Sequence, residues 1–234
     1  MCVVALALDT HPQWRIILAG NRDEFHARPS APLSRWDGAD SHILAGRDLV
    51  SGGTWLGVSE TGRLAVVTNI RTGAMPDPDK RSRGDLVAGY LRGEAVPALS
   101  TLNLYNAFSL MTIGPEGATL CANRPSPLYT PVPSGIHGLS NGLPDEEWHR
   151  KSALLNAFAQ VVKTATDMPV ALLNMLANES IDDSIFIRSD VYGTRCSTIV
   201  LVDYQGAGMF VEQRFGPKGL VAGQTNLTFG FKLS

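Results

Sequence analysis

The sequence lacks a long apolar run, and it lacks an excess of charge of either sign. A membrane-spanning helix needs roughly 18 or more consecutive apolar residues, and no segment reaches that length. Lys and Arg number 20 against 22 Asp and Glu, so the formal net charge is −2. A basic patch for nucleic acid is therefore absent. We expect no integral membrane segment and no nucleic-acid partner, and a polar or amphipathic small-molecule partner remains open.

Cysteine is also scarce. The three cysteines, Cys2, Cys121 and Cys196, are far apart and form no CxxC pair. This argues against a disulfide framework and a thiolate zinc site, and we predict no metal site. The N-terminus has an apolar run but neither a basic start nor a small-residue cleavage site. We expect a cytoplasmic protein.

Apolar residues make up 44% of the 234 positions, enough for a sizeable core. Alternating and β-rich runs predict strands over residues 2–8, 15–18, 43–48, 54–58, 63–68, 108–113, 118–121, 197–202, 209–213 and 227–231. Helical spacing predicts helices over residues 84–91, 145–162 and 170–176, with Ser82 as the N-cap of the first. Residues 26–42, which contain Pro29, Pro32 and Gly38, are predicted to form a long loop. Strands at both ends with helices between them favour an α+β fold with largely antiparallel sheets.

Cys2 would become the first residue if the initiator Met were removed. Its thiol and its own α-amine would then be neighbours, and an amine that titrates near 8 can act as a base for the thiol. Such a nucleophile also needs oxyanion donors and a group that orients the amine. Asn69 could donate to an oxyanion, and Asp23 could hold the amine. The alternative is that Cys2 is a small buried residue at the start of a strand.

Four polar residues, Asn21, Arg22, Asp23 and Glu24, follow the second apolar run. They are interpreted either as a solvated turn or as the rim of a site. Arg83 near a helix start is a candidate for an anionic ligand. Trp55 either lines a cleft or packs on a hairpin.

The motifs resemble one known family from residue 1 to about 203. The matching segments are Met1-Cys2, Asn21-Arg22-Asp23-Glu24-Phe25, Arg28-Pro29, Gly46-Arg47-Asp48, Gly53-Thr54-Trp55-Leu56-Gly57, Thr68-Asn69, Ser82-Arg83-Gly84, Leu139-Ser140-Asn141 and Thr194-Arg195 before Ser197-Thr198. The chain is similar to the family named for its Asn-Arg-Asp-Glu motif, also called the Transport and Golgi organization 2 family. The resemblance implies one family domain over residues 1–234.

That family resembles, more distantly, N-terminal nucleophile hydrolases of the penicillin acylase and bile-salt hydrolase kind. The resemblance implies two stacked antiparallel sheets between helical layers. It also implies a catalytic set, which consists of Cys2, Asp23, Asn69, Asn141 and Arg195. This chain has Gly20 where those hydrolases keep an arginine, and Arg22 lies two positions later.

Members of the family are associated with intracellular haem trafficking and with acyl-CoA or lipid handling. The resemblance therefore implies a haem or acyl-lipid carrier, in which Asn21, Arg22, Glu24, Trp55 and Arg83 are candidate ligand-binding residues. Haem would be a transported ligand and not a fixed cofactor. The alternative is a cysteine amidohydrolase that acts on a non-peptide amide through Cys2, so whether the protein is an enzyme stays open. Among the five histidines and three cysteines, the sequence selects no iron ligand, and it gives no oligomeric state.

Overall fold

The computed structural model describes residues 2–180 and 184–233. The strands, β1 to β13 in chain order, are Cys2–Leu8, Trp14–Phe25, Ser30–Arg35, Ile43–Asp48, Leu56–Ser59, Arg63–Asn69, Phe108–Gly114, Gly117–Ala122, Leu128–Pro131, Gly135–Leu139, Tyr192–Asp203, Ala207–Phe215 and Val221–Gly230. The helices, α1 to α3, are Arg83–Leu91, His149–Thr164 and Met168–Leu176. None of the helices in the described residues is long and apolar enough to cross a membrane.

The strands form two antiparallel sheets. The six-stranded sheet has the order β10-β1-β2-β11-β12-β13, and the seven-stranded sheet runs β3 to β9 in sequence order. The predicted α+β class with antiparallel sheets is therefore confirmed. The chain divides into two compact units, each built around one sheet. The first unit comprises Met1–Arg28, Ser134–Ser140 and Glu146–Gly230, and the second comprises Pro29–Pro133, Asn141–Asp145 and Phe231–Ser234.

In the first unit, α2 and α3 pack on one face of the six-stranded sheet. Val3, Ala5, Ile17 and Ala19 belong to the same buried cluster as Phe158 of α2. Because side chains alternate across a strand, the odd-numbered residues of β1 and β2 face the helices and the even-numbered residues face away. This parity decides where each residue of the polar motif points.

In the second unit, α1 packs on the seven-stranded sheet through a close backbone contact. A Cβ atom on Gly53 would lie 2.5 Å from the carbonyl carbon of Gly84, so only glycine fits there. Ser82 caps the helix by accepting from the Gly84 N–H, as predicted. The close contact of Gly53 with Gly84 and the Ser82 cap give structural roles to the serine and the glycines of the Ser-Arg-Gly and Gly-Gly-Thr-Trp segments.

Several element boundaries differ from the sequence predictions. The predicted strand over residues 15–18 extends through the polar motif to Phe25, so the motif is strand and not a turn. Part of the predicted loop over residues 26–42 is β3, where Pro32 is tolerated because the strand lies at a sheet edge. The helix predicted from residue 145 begins at His149, since Trp148 has extended backbone angles. Strand β10 was missed, and the single domain over residues 1–234 stays a prediction.

Candidate functional site

The polar motif lies where three neighbouring strands of the first unit run side by side. Arg22 of β2 is paired with Cys2 of β1 on one side and with Cys196 of β11 on the other. Asn21 is paired with Val3 and Ser197 in the same way. Residues that are directly paired point to the same face of a sheet. The motif therefore divides between the two faces, with Asn21 and Asp23 on the helix face.

Asn21 is fully buried on the helix face, and both the nitrogen and the oxygen of its side-chain amide are hydrogen-bonded. Its Nδ2 atom donates to the carbonyls of Leu176 at 2.9 Å and Ile185 at 3.1 Å. Its Oδ1 atom accepts from Ser197 Oγ at 2.7 Å. Leu176 ends α3 and Ile185 lies between α3 and β11, so Asn21 ties both sides of this connection to the sheet.

Asp23 is the second buried residue on the helix face, and its carboxylate is fully enclosed. Arg150 of α2 donates to Oδ2, and the Thr194 hydroxyl donates to Oδ1 at 2.7 Å. Arg150 is itself mostly buried and also donates to the Ile185 carbonyl. Tyr192 donates its hydroxyl to the Asp23 carbonyl. Asp23 is thus the centre of a buried ion pair that connects the sheet to α2.

The opposite face carries a row of thiol and guanidinium groups. The paired residues across four strands are Cys2, Arg22, Cys196 and Arg214. Arg22 also approaches Glu24, two residues along the same strand, with 3.7 Å between Nη2 and Oε2. Cys2 and Cys196 are two strands apart, about 10 Å, which is too far for a disulfide.

Cys2 is not an activated thiol in the chain that carries Met1. Burial raises the pKa of Cys2, and the Asp23 carboxylate acts in the same direction. Arg22 and the backbone N–H of Asp23 lower the pKa, but they do not reverse the shift. Cys196 is also buried, and desolvation with the nearby Glu212 carboxylate raises its pKa strongly.

Arg195 occupies an irregularity in the pairing of β11 with β2, between Thr194 and Cys196. Its Nη1 atom donates to the carbonyls of Phe25, His26 and Arg28, so Arg195 holds the backbone at and just after the end of β2. Its Nε and Nη2 atoms have no hydrogen-bond partner among the described residues. Burial lowers the pKa of Arg195, and repulsion from Arg22 lowers it further. Two partly buried arginines, Arg22 and Arg195, thus lie close enough to repel each other.

His26 follows the motif and was not selected from the sequence. Both ring nitrogens are buried, and within residues 2–180 and 184–233 neither has a hydrogen-bond partner of normal geometry. Burial lowers the pKa of His26, and the neighbouring Arg195 lowers it further, against a weaker opposite effect of the Ser189 backbone and Asp190. A neutral imidazole with an available nitrogen is the form that binds metals.

Gly20 stands where the hydrolases keep an arginine, and the strands leave no room for a side chain there. A Cβ atom would lie 2.8 Å from the Val3 carbonyl oxygen and 2.9 Å from Val4 Cγ2. Both distances are shorter than normal contacts. The absence of an arginine at this position is therefore built into the pairing of β1 and β2.

The remaining predicted site residues belong to the second unit. Asn69 is exposed at the end of β6, and its carbonyl accepts from the buried amide of Asn141 at 2.6 Å. Trp55 is half-buried before β5, and its carbonyl accepts from the Val67 N–H. Arg83 begins α1 and donates to the Ala107 carbonyl at 3.2 Å. The structure therefore brings Asn69 and Asn141 together, and their role in a site stays a prediction.

Arg150 is the main site residue that the sequence predictions missed. It lies on the same helical stripe as the fully buried Leu154 and Phe158, at spacings of four and eight residues. A charged residue on an apolar stripe needs a buried partner of opposite charge. The position of Arg150 on the apolar stripe was therefore the sequence signal for a buried ion pair, and Asp23 is its acidic partner.

Comparison with known proteins agrees with this arrangement at the level of family and fold. The model of the family described as "Transport and Golgi organisation 2" matches residues 1–217. The mouse "Transport and Golgi organization 2 homolog" is 32% identical, with 100% of this chain and 99% of the relative aligned. The human "Transport and Golgi organization protein 2 homolog" is 33% identical with the same coverage, and the Drosophila melanogaster protein is 27% identical over 91% of this chain and 92% of its own length.

Two solved structures share the fold at low sequence identity. A Caenorhabditis elegans N-acylethanolamine-hydrolyzing acid amidase ortholog superposes with a TM-score of 0.60 at 11% identity, over 86% of this chain and 92% of that chain. Penicillin V acylase from Agrobacterium tumefaciens gives 0.56 at 10% identity, over 91% and 83%. The fold is that of N-terminal nucleophile hydrolases, as predicted. With the family match over residues 1–217, the chain belongs to the Transport and Golgi organisation 2 family.

Proposed function

We propose that this protein binds and carries a small amphipathic ligand with an anionic group, either haem or a long-chain acyl-CoA, in the cytoplasm. The observation that carries the proposal is the pair of partly buried arginines, Arg22 and Arg195, which lie close enough to repel each other. The cytoplasmic part rests on the three free cysteines, which suit a reducing compartment.

The charges around the arginines favour an anion. Arg22 is only 12% exposed, and Glu24 approaches it no closer than a long ion pair. Arg195 is repelled by Arg22, and two of its nitrogens have no hydrogen-bond partner among the described residues. A carboxylate or phosphate would relieve the repulsion and supply acceptors for these donors. Haem propionates and the phosphates of an acyl-CoA both provide such groups.

Haem would also need an iron ligand, and His26 is the histidine that best meets this need. Its ring nitrogens are buried without partners in the described part of the chain, and it stays neutral because its pKa is lowered. His11, in contrast, uses Nδ1 to accept from the backbone N–H groups of Gln13 and Trp14. His26 lies directly after β2, and its carbonyl accepts from Arg195.

The test is a binding titration with two named ligands. Haemin, followed by its Soret band, and palmitoyl-CoA, followed by calorimetry, are titrated into wild type, Arg22→Gln, Arg195→Gln and the control Arg188→Gln. In Arg22→Gln and Arg195→Gln, loss of a charge-assisted hydrogen bond should lower the affinity for the true ligand by roughly tenfold or more. Arg188 is half-exposed and paired with Glu179, so its variant should bind like wild type.

The outcomes also separate the two ligands. A Soret shift that His26→Ala abolishes and His11→Ala preserves identifies haem, and calorimetric heat from palmitoyl-CoA alone identifies the acyl-CoA. No saturable signal with either ligand, or equal affinity in all variants, would contradict the carrier proposal.

The second candidate function is a cysteine amidohydrolase that acts on a non-peptide amide. It is favoured by the position of Cys2, whose sulfur accepts from the Asp23 backbone N–H opposite Arg22. In this scheme Cys2 attacks the amide carbonyl, its own α-amine takes the thiol proton and passes it to the departing amine, and water hydrolyses the resulting thioester. The Asp23 carboxylate would have to leave its ion pair with Arg150 to hold the amine. The family resemblance implies that Asn69 and Asn141 receive the oxyanion or substrate and that Arg195 stabilises charge. This scheme requires a mature chain that begins at Cys2. Intact mass that retains Met1 would exclude it, because the α-amine would then be blocked.

A further inference from the structure

Strand β13 forms one edge of the six-stranded sheet and leaves its outer backbone groups unpaired by any other strand in the described residues. It is ten residues long, Val221–Gly230, and follows a short 3-10 helix. An edge strand of this length presents a row of N–H and C=O groups that can pair with another strand. Natural proteins usually protect such an edge.

The other three edges of the two sheets are protected. Strand β3 contains Pro32 and a register irregularity, and β9 is four residues long and ends at Pro131. Strand β10 is five residues long and begins at Gly135 with a positive φ. Short length, proline and irregular pairing are the usual means by which edges avoid association. Strand β13 contains no proline, and although its register with β12 shifts at Ala222 and Gly223 has a positive φ, its pairing with β12 is regular from Gly223 to Gly230.

Charge does not protect β13 either. No residue from 219 to 231 is charged, and the nearest charge before the strand, Lys218, lies 3.7 Å from the carboxylate of Asp190. Charged residues, above all lysines on the strand itself, are the commonest way to block an edge. An uncharged edge that is regular over residues 223–230 is thus available on the first unit.

The exposed side chains of β13 suit a second copy of the same strand. The exposed alternate positions of the regular part, which point to one face, are Gln224, Asn226, Thr228 and Gly230. Their polar groups are neutral and act as both donors and acceptors, and Gln224 Nε2 already donates to Asn226 Oδ1 at 3.0 Å. A partner selected by charge would find nothing to recognise here. A self-complementary set without charge fits its own copy, because a two-fold axis brings the same groups together without repulsion.

We propose that two copies of this protein associate through antiparallel pairing of β13 with β13, about a two-fold axis at Asn226. In this register Asn226 faces its own copy and Gln224 faces Thr228. The two six-stranded sheets become one continuous twelve-stranded sheet. Because a single strand edge buries less surface than a standard interface, the dimer dissociates in the micromolar range.

Sedimentation velocity of the full chain from low to high micromolar concentration tests the proposal. Wild type is expected to move from monomer to dimer over this range. Asn226→Lys and Asn226→Asp place like charges directly across the axis, so each variant alone should dimerise about fivefold more weakly or worse. An equal mixture of the two variants should recover the dimer, because lysine then faces aspartate. Asn226 is exposed, and unchanged melting temperatures show that the variants are folded.

The matched control is Thr130→Lys, which adds the same charge to an exposed position on the edge strand β9. It should dimerise like wild type. A wild type that stays monomeric at the highest concentration would overturn the proposal. So would a dimer that Asn226→Lys does not weaken, or a variant mixture that associates no better than either variant alone.

Discussion

The buried ion pair between Asp23 and Arg150 allows the sharpest stability prediction. The Asp23 carboxylate has no exposed surface, and the Arg150 side chain is 13% exposed. Arg150→Met removes the positive partner of the Asp23 carboxylate, while the Thr194 hydroxyl still donates to that carboxylate. An uncompensated buried charge costs about 3–5 kcal/mol. For a chain of this size, that loss corresponds to a fall in melting temperature of roughly 6–20 °C.

The double variant separates the pair from simple packing. Asp23→Asn with Arg150→Met leaves no charge without a partner, so it should be more stable than Arg150→Met alone. Arg35→Met is the control, because Arg35 is 44% exposed in its ion pair with Glu60, and breaking such a pair costs under about 1 kcal/mol. Urea denaturation followed by circular dichroism measures all four proteins. If Arg150→Met lost no more than Arg35→Met, the role of Asp23 as a buried anchor would be refuted.

Four further predictions follow from the same region. Asn21→Asp should destabilise the fold by about 2–4 kcal/mol in urea denaturation, because a carboxylate would face two carbonyl oxygens; a loss under about 1 kcal/mol would contradict this. Gly20→Ala should cost about 1–3 kcal/mol in the same assay, since its Cβ atom collides with neighbouring backbone. Because the pKa of His26 is lowered in the folded protein, the unfolded chain binds a proton at a higher pH than the folded chain does. The stability that depends on neutral His26 is therefore complete above a pH of about 6.5 and is lost as the pH falls below it. The melting temperature of His26→Gln should fall less than that of wild type as the pH is lowered through this range. Cys2 should react with a thiol reagent more slowly than a free thiol at neutral pH while Met1 is present, and faster labelling would contradict its raised pKa.

The sequence predicted the class of the fold because strand and helix periodicities are local. The first strand and the Ser82 cap of α1 depend on near neighbours, and both lie where the patterns place them. The polar motif was interpreted as a turn or a rim because four polar residues in a row are unusual inside a strand. Its alternate residues instead point to two faces: Asn21 and Asp23 bond to groups on the helix side, and Arg22 and Glu24 lie on the face that carries Cys2 and Cys196.

The pairing of Asp23 with Arg150 could not be read from local patterns, because 127 residues separate the two. The same is true of the buried amide of Asn21, whose partners are backbone carbonyls around residue 180. These contacts need the three-dimensional arrangement of α2, α3 and the sheet. Once Arg150 is noticed on an apolar helical stripe, a buried acid becomes the expected partner, but the sequence contains 22 candidates.

The central claim is that the two faces of the motif have different tasks: Asn21 and Asp23 hold the structure, and Arg22 with Arg195 receives an anionic ligand. The most direct test measures the ligand affinity of Arg22→Gln in a protein whose melting temperature is also measured. The account predicts that the melting temperature of Arg22→Gln stays within about 2 °C of wild type, together with an affinity for haemin or palmitoyl-CoA that is at least about tenfold weaker. A folded Arg22→Gln protein that binds both ligands as wild type does would contradict the account.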